Sequence, residues 1–410
     1  MNSNFLFYLL ITILILDYLA NLTLDMRNKV SSTQIPDPVV RDVYDKESYL
    51  NSMRYQAANY NLNQWSSLVS LLVTLTFFFA DGFALLDAFL YSFELNYTLH
   101  VICYFGVLGV ASYIINLPFS YYKIFYIEER FGFNNSSFYL FCTDQIKGTL
   151  FTSLIGGVLL AVLIWIYQSL TVNFWWVAWI VISSFSLFMT FFYSTLIVPL
   201  FNKQSPLSPG VLRDKIYKLA DDLNFDLQSL YVLDGSKRSS KANAYFSGFG
   251  KKKRIVLYDT LIKDLDEDEI LAVLAHEIGH YKKKHVLYNM ILTIGLTGLM
   301  LFLLSYALNS PLLSGALGIE TPSFHIGLIV FSLLYQPISE FTGVGINYLS
   351  RRFEYQADNY AKTHISGMYL ITALKKLSRK SLSNLNPDKW YEFVHYSHPN
   401  LAKRIKAIML

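Results

Sequence analysis

The chain has 410 residues, of which 53% are hydrophobic and only 16% charged, with a formal net charge of +4. That is too apolar for an ordinary soluble enzyme and too long for one small domain. So small a positive excess does not indicate a nucleic-acid partner, and the two cysteines, Cys103 and Cys142, offer neither a metal-ligand spacing nor a disulfide framework.

Seven apolar windows long enough to cross a bilayer lie at 4–24, 66–92, 99–120, 149–167, 174–200, 286–308 and 325–348. The connections between them alternate in charge. Lys and Arg number five in 25–65, three in 121–148, fifteen in 201–285 and eleven in 349–410, which accounts for all 34. The stub before the first window and the segments 93–98, 168–173 and 309–324 hold none. This is the positive-inside pattern of seven spans, with the amino terminus outside or lumenal and the carboxyl terminus in the cytosol. The first window lacks a basic leader region and reads as a retained helix rather than a signal peptide.

In chain order, 40–64 is expected as a surface helix after Pro36 and Pro38. Asp81, Asp87 and Glu340 fall at membrane depth, where acids face a partner or a water-filled space rather than lipid. Asn134 to Ser137 reads as a turn and helix cap. Beyond Pro206 and Pro209, 210–224 is a short amphipathic helix, followed by strands at 230–233 and 254–258. The stretch 242–247 between them fits either an ordinary hairpin or an exposed edge strand onto which an extended peptide adds. The charge run 251–254 reads as a solvated face.

The chemistry is concentrated in LAVLAHEIGHYKKKH, residues 271–285. His276 and His280 are four apart, so a helix presents both imidazoles to one zinc ion. Glu277 is placed to hold and deprotonate a water at that metal. Asp266 and Glu269 form a capping-box pattern at the start of this helix. His285, five residues past His280, falls off the metal face and is expected at the interface. A helical His pair alone can be a satisfied core feature; a third ligand is what raises the odds. SRRFEYQAD, 350–358, supplies one, since Glu354 and Asp358 lie one turn apart. A carboxylate with two imidazoles is a three-ligand set that leaves the fourth position of catalytic zinc open. Asp358 then either orients a ligating His or contacts the reacting group. Near the end, His398-Pro399 precedes a terminal helix that carries Arg404.

These residues resemble the M48 zinc metalloproteases, specifically the integral-membrane CAAX prenyl protease type 1 (Ste24) group. The similar pieces are IEERFGFN at 127–134, PLFNK at 199–203, SKRSSKANAYFSGFGKKKRIVLYDTL at 236–261, LAHEIGHYKKKH at 274–285, SRRFEYQAD at 350–358 and HYSHPNLAKRI at 395–405. The resemblance implies an α-helical multi-pass membrane protein whose seven transmembrane helices enclose a hydrated chamber, with a small α+β zinc metalloprotease domain. It implies one Zn2+ per chain on His276, His280 and Glu354, with Glu277 as general base. It places Asn243 and His398 at the oxyanion, makes Asp358 and Arg404 a supporting pair with Asp358 as proton donor, and favours the edge-strand reading of 242–247.

The expected layout is spans one to five in 1–200, a zinc-protease domain in 201–285, spans six and seven in 286–348, and the rest of the protease domain in 349–410. Expected partners are the bilayer and a peptide or prenylated protein substrate, with no nucleic acid, and the expected state is a monomer. The implied reaction is removal of the AAX tripeptide from prenylated proteins in the endoplasmic reticulum or nuclear membrane, with the active-site domain on the cytosolic side. Short connections and the lack of a terminal extension also fit a bacterial inner-membrane enzyme, whose substrates would be unprenylated quality-control targets. A true intramembrane protease would carry its metal motif inside an apolar span, but here the charged flanks KDLDEDE and YKKKH enclose it. A dead protease scaffold would not need the intact set at 276, 277, 280 and 354. A non-catalytic seven-span receptor or transporter is the remaining alternative, and it would not need H-E-x-x-H with a paired E-x-x-x-D.

Overall fold

A computed structural model describes residues 2–170, 173–247 and 253–410. Seven of its helices are long and apolar enough to cross a membrane. Helices α1 (Ser3–Ser32), α2 (Lys46–Phe79), the short α3 (Gly82–Tyr91) and α4 (Tyr97–Tyr122) come first; α4 runs on through a π-helical turn, Lys123–Glu128. Next are α5 (Phe138–Leu170), α6 (Phe174–Leu196) and the single turn α7 (Val198–Phe201). Two expectations shift here. The segment expected as a separate surface helix, 40–64, is mostly the first half of α2, continuous with the second span. The apolar window 66–92 breaks instead at Asp81, whose left-handed backbone (φ 51°) starts α3.

The extramembrane part opens with β1 (Gln204–Pro206), α8 (Val211–Asp222), β2 (Leu227–Leu233), β3 (Ala244–Ser247) and β4 (Lys253–Tyr258). The four strands form one sheet in the order β1-β2-β4-β3, with β2 parallel and β3 antiparallel to β4. So 242–247 is both things its sequence allowed: β3 makes a hairpin with β4 and stands at the sheet edge. The connecting residues 248–252, which include the start of the charge run, lie outside the described residues. Helices α9 (Asp259–Asp264) and α10 (Glu267–Lys282) follow.

The chain re-enters the apolar bundle through α11 (His285–Ala307) and the short α12 (Pro311–Gly315). It returns along α13 (Phe324–His364), one unbroken helix of 41 residues, about 60 Å at 1.5 Å per residue. The boundary expected at 348/349 therefore falls inside a helix that is membrane span at one end and protease wall at the other. Helices α14 (Gly367–Lys380), α15 (Lys389–His395) and α16 (Leu401–Met409) complete the chain.

One hydrophobic core joins sequence-distant parts of the protease region. Ile216, Leu230 and Ile255 pack with Ile270, Leu274 and Ile278 of α10, and with Leu370 and Ile405 from the amphipathic α14 and α16. Val43 and Tyr55, from the entry to α2, belong to the same core and dock the sheet onto the bundle. At the other end of α13, a second core gathers Leu6, Phe78, Tyr104 and Ile326.

Candidate metal centre and active site

Helix α10 begins with the full capping box: Asp266 accepts from the backbone of the third residue and Glu269 accepts from Asp266 N at 2.9 Å. Lys376 of α14 reaches both carboxylates, at 2.9 and 2.8 Å, and fixes the start of the helix against its neighbour. One turn beyond His276, Gly279 sets how closely α13 approaches. A Cβ there would lie 3.1 Å from both Ala357 Cα and Tyr360 Cβ. Its absence lets α13 bring Glu354 up to the histidines.

The donor atoms of His276, His280 and Glu354 lie within 4.8 Å of one another. The separations are 3.2 Å between the two Nε2 atoms, 3.5 Å from His276 Nε2 to Glu354 Oε2 and 3.2 Å from His280 Nε2 to Glu354 Oε1. Ligands held tetrahedrally at zinc distances would be about 3.4 Å apart, so the set fits a metal. Glu354 Oε2 is also buried without a hydrogen-bond partner, with the Arg404 guanidinium at 3.5 Å to offset its charge, and a bound cation would complete its contacts.

Both imidazoles are held from behind. Asp358 Oδ1 accepts from His276 Nδ1 at 2.8 Å, and Arg404 grips Asp358 through two nitrogens at 2.9 and 2.6 Å. His280 Nδ1 lies 3.0 Å from His285 Nδ1, and His285 Nε2 lies 2.8 Å from Gln356 Oε1. With Gln356 accepting, His285 Nε2 carries a proton and its Nδ1 accepts from His280. Each ligand therefore keeps its Nε2 lone pair free for the metal. As its spacing suggested, His285 is not among the clustered donors, but it is buried behind His280 rather than at the interface. The chain turns at Lys284, whose left-handed backbone (φ 60°) separates α10 from α11, so the period of α10 does not extend that far.

The site opens into a cavity of about 900 Å³. Its wall includes Asn243, Glu277 and His398, with Leu374 from α14 and Thr190 and Leu287 from the membrane helices. Loss of solvation pushes the Glu277 carboxyl above its ordinary value. Asn243 Oδ1 accepts from Ala244 N at 2.9 Å, which leaves the amide NH2 as the free, donating end. The His398 ring reaches Glu354 Oε1 at 3.3 Å through Nε2, while most of its side chain faces open space. Asp358 is buried behind His276. All eight residues singled out in the sequence thus gather around one centre, with Asp358 and Arg404 in supporting positions.

A second group with a similar donor set, Asp87, His100 and His325, lies near the far end of α13. There a single oxygen, Asp87 Oδ1, takes hydrogen bonds from His100 Nε2 at 2.7 Å and His325 Nε2 at 2.8 Å. Of the two settings the sequence left open for Asp87, a partner or a water-filled space, the structure shows a partner.

Known proteins resemble this chain over nearly its whole length. Residues 26–203 match the family described as CAAX prenyl protease N-terminal, five membrane helices, and residues 206–409 match peptidase family M48. The chain is 42% identical over 314 residues to the CAAX prenyl protease 1 homolog of Oryza sativa subsp. japonica, covering 76% of this chain and 74% of that one. It is 35% identical to CAAX prenyl protease 1 of Saccharomyces cerevisiae, covering 94% and 91%. The crystal structure of S. mikatae Ste24p superposes with a TM-score of 0.94 at 33% identity, covering 99% of each chain. The chain belongs to the M48 peptidases and is an integral-membrane zinc metalloprotease of the CAAX prenyl protease 1 type.

Proposed function

We propose that this enzyme cleaves the peptide bond following a prenylated cysteine and releases the last three residues of a CAAX protein. The observation that carries the reading is the convergence of His276, His280, Glu354 and Glu277 on a cavity that runs from the edge strand to the membrane helices. Such a cavity suits an extended peptide attached to a lipid chain, and the relatives' names point to the same chemistry.

We assign one Zn2+ per chain to His276, His280 and Glu354. Bound there, zinc would polarise the scissile carbonyl and acidify the attacking water. Glu277 takes the proton from that water and returns it to the leaving amine; its raised affinity for protons suits a group that must do both. Substrate adds to the free side of β3 as a further strand, which fixes the scissile bond by main-chain hydrogen bonds. Asn243 and His398 donate to the developing oxyanion. Asp358 and Arg404 hold His276 in its metal-binding tautomer, so we assign them a positioning role. We also propose that 201–285 and 349–410 form one protease unit on the cytosolic side of spans one to five (1–200) and six and seven (286–348), in a monomer. The membrane would be the endoplasmic reticulum or nuclear membrane in a eukaryote and the inner membrane in a bacterium.

The test uses purified protein and its Glu277→Gln variant, assayed for zinc and for cleavage of a farnesylated CAAX peptide beside an unprenylated, unfolded membrane protein. Zinc in both forms, with cleavage of the farnesylated peptide by the parent alone, supports the reading. Cleavage of the unfolded protein only would overturn it in favour of quality control.

A further inference from the structure

Asn243 lies at the end of a ten-residue connection, 234–243, whose regular structure is limited to one 3-10 turn, Gly235–Lys237. Backbone bonds hold parts of it, including one from Tyr258 N to Asn243 O at 3.0 Å and a bridge between Asn134 and Ser239, and side-chain anchors fix the rest of its path. Arg238 pairs with both oxygens of Asp144 on α5, at 2.7 and 2.8 Å, and donates to Phe201 O at 2.7 Å. Ser240 donates from Oγ to Gly132 O at 3.0 Å and from its backbone to Phe133 O at 3.1 Å. Nearest to Asn243 is Lys241. Its ammonium donates to Glu128 Oε2 and to the Tyr55 hydroxyl, each at 2.8 Å. That hydroxyl donates in turn to Glu128 Oε1 at 2.6 Å, which closes a three-membered ring of charge-assisted bonds.

The ring is built into the junction of three elements. Tyr55 comes from α2 and Lys241 from the connection into β3. Glu128 is the last residue of the π-helical turn that ends α4, and such turns re-aim a helix's side chains. The Lys241 ammonium lies 4.5 Å from the centre of the Phe133 ring, which packs 5.1 Å from Tyr55. Glu128 keeps only 12% of its side chain exposed. The Lys241 carbonyl is fixed as well, accepting from Thr260 Oγ1 at 3.1 Å. The stretch IEERFGFN thus acquires a physical role, because it supplies Glu128, Gly132 and Phe133 to hold the connection that ends at Asn243.

We propose that Lys241, locked by Glu128 and Tyr55, is a positioning residue that sets Asn243 and the start of β3 against the scissile carbonyl. This rests on the reading of Asn243 as an oxyanion donor. With the ring gone, Asn243 keeps its carbonyl bond from Tyr258 N at 3.0 Å but loses the anchor on its preceding side. The amide then shifts relative to the developing charge, and a displacement of about 1 Å in such a group costs on the order of 100-fold.

The experiment is a double-mutant cycle on the full-length protein, with zinc content and steady-state kinetics on a farnesylated peptide. Lys241→Met, Tyr55→Phe and Asn243→Ala are made singly, and each of the first two is combined with the third. Lys241→Met is expected to lower kcat roughly 10–100-fold with zinc unchanged, and Tyr55→Phe roughly 3–10-fold. In the Asn243→Ala background each should cost less than about threefold, because the group they position is gone. Full additivity would overturn the proposal, as would parental kcat in both single variants or loss of zinc in both. If Asn243→Ala itself keeps parental kcat, the oxyanion reading fails and the proposal falls with it. A slow Asn243→Ala beside a parental Lys241→Met would sink the proposal alone.

Discussion

The two ends of α13 carry nearly the same side chains for different purposes. Near its start, His325 joins His100 and Asp87; near its end, Glu354 joins His276 and His280. Spacing separates them. In the far cluster both imidazoles sit at 2.7 and 2.8 Å from one carboxylate oxygen, whereas the catalytic set is wider, at 3.2–3.5 Å, and uses both oxygens of its carboxylate. The outer partners separate them again. A ligating imidazole must donate from its other nitrogen, and His276 and His280 have Asp358 and His285 for that, but His325 Nδ1 is buried without a partner. With its proton on Nε2, His325 leaves only a lone pair unsatisfied; as a ligand it would bury an unpaired N–H. Two imidazoles and a carboxylate do not make a metal site; spacing and the outer ring of partners do.

The widest contrast is expected from removing each carboxylate. Glu354→Ala should lose the metal and all measurable peptidase activity, while Asp87→Ala should keep one metal per chain by elemental analysis. A second equivalent of tightly held metal in the parent, lost with Asp87, would break the comparison. Next, Glu277→Gln should lower kcat by about 10²–10⁴ and keep the metal, separating proton transfer from ligation. Smaller again, His285→Ala should weaken metal affinity about 10–100-fold in a chelator competition, and Asn at that position, which retains an acceptor, should recover part of it. Weakest on catalysis is His325→Ala. It should destabilise the bundle by roughly 1–3 kcal/mol in thermal unfolding, with kcat within about threefold of the parent.

Much of this was legible in the sequence because it depends on local periods. The seven spans, the capping box of α10 and the His276/His280 face each follow from spacing within one element. What stayed hidden depends on breaks in the period or on contacts across elements. The left-handed residue Asp81 divides one apolar window, and a second, Lys284, turns the chain so that His285 reaches the back of His280. Gly279 acts through a contact across elements, since its missing Cβ sets the distance between α10 and α13. The ring of Tyr55, Glu128 and Lys241 draws on three stretches of chain with no common period.

The unbroken course of α13 has a further consequence for how the enzyme comes into being. The two histidines leave the ribosome before the sixth span, and Glu354 follows only after the seventh. With the proposed ligand set, the metal site is complete only once the last membrane helix has been made and has folded back against α10. On that ligand set, proteolytic competence waits for the whole of α13.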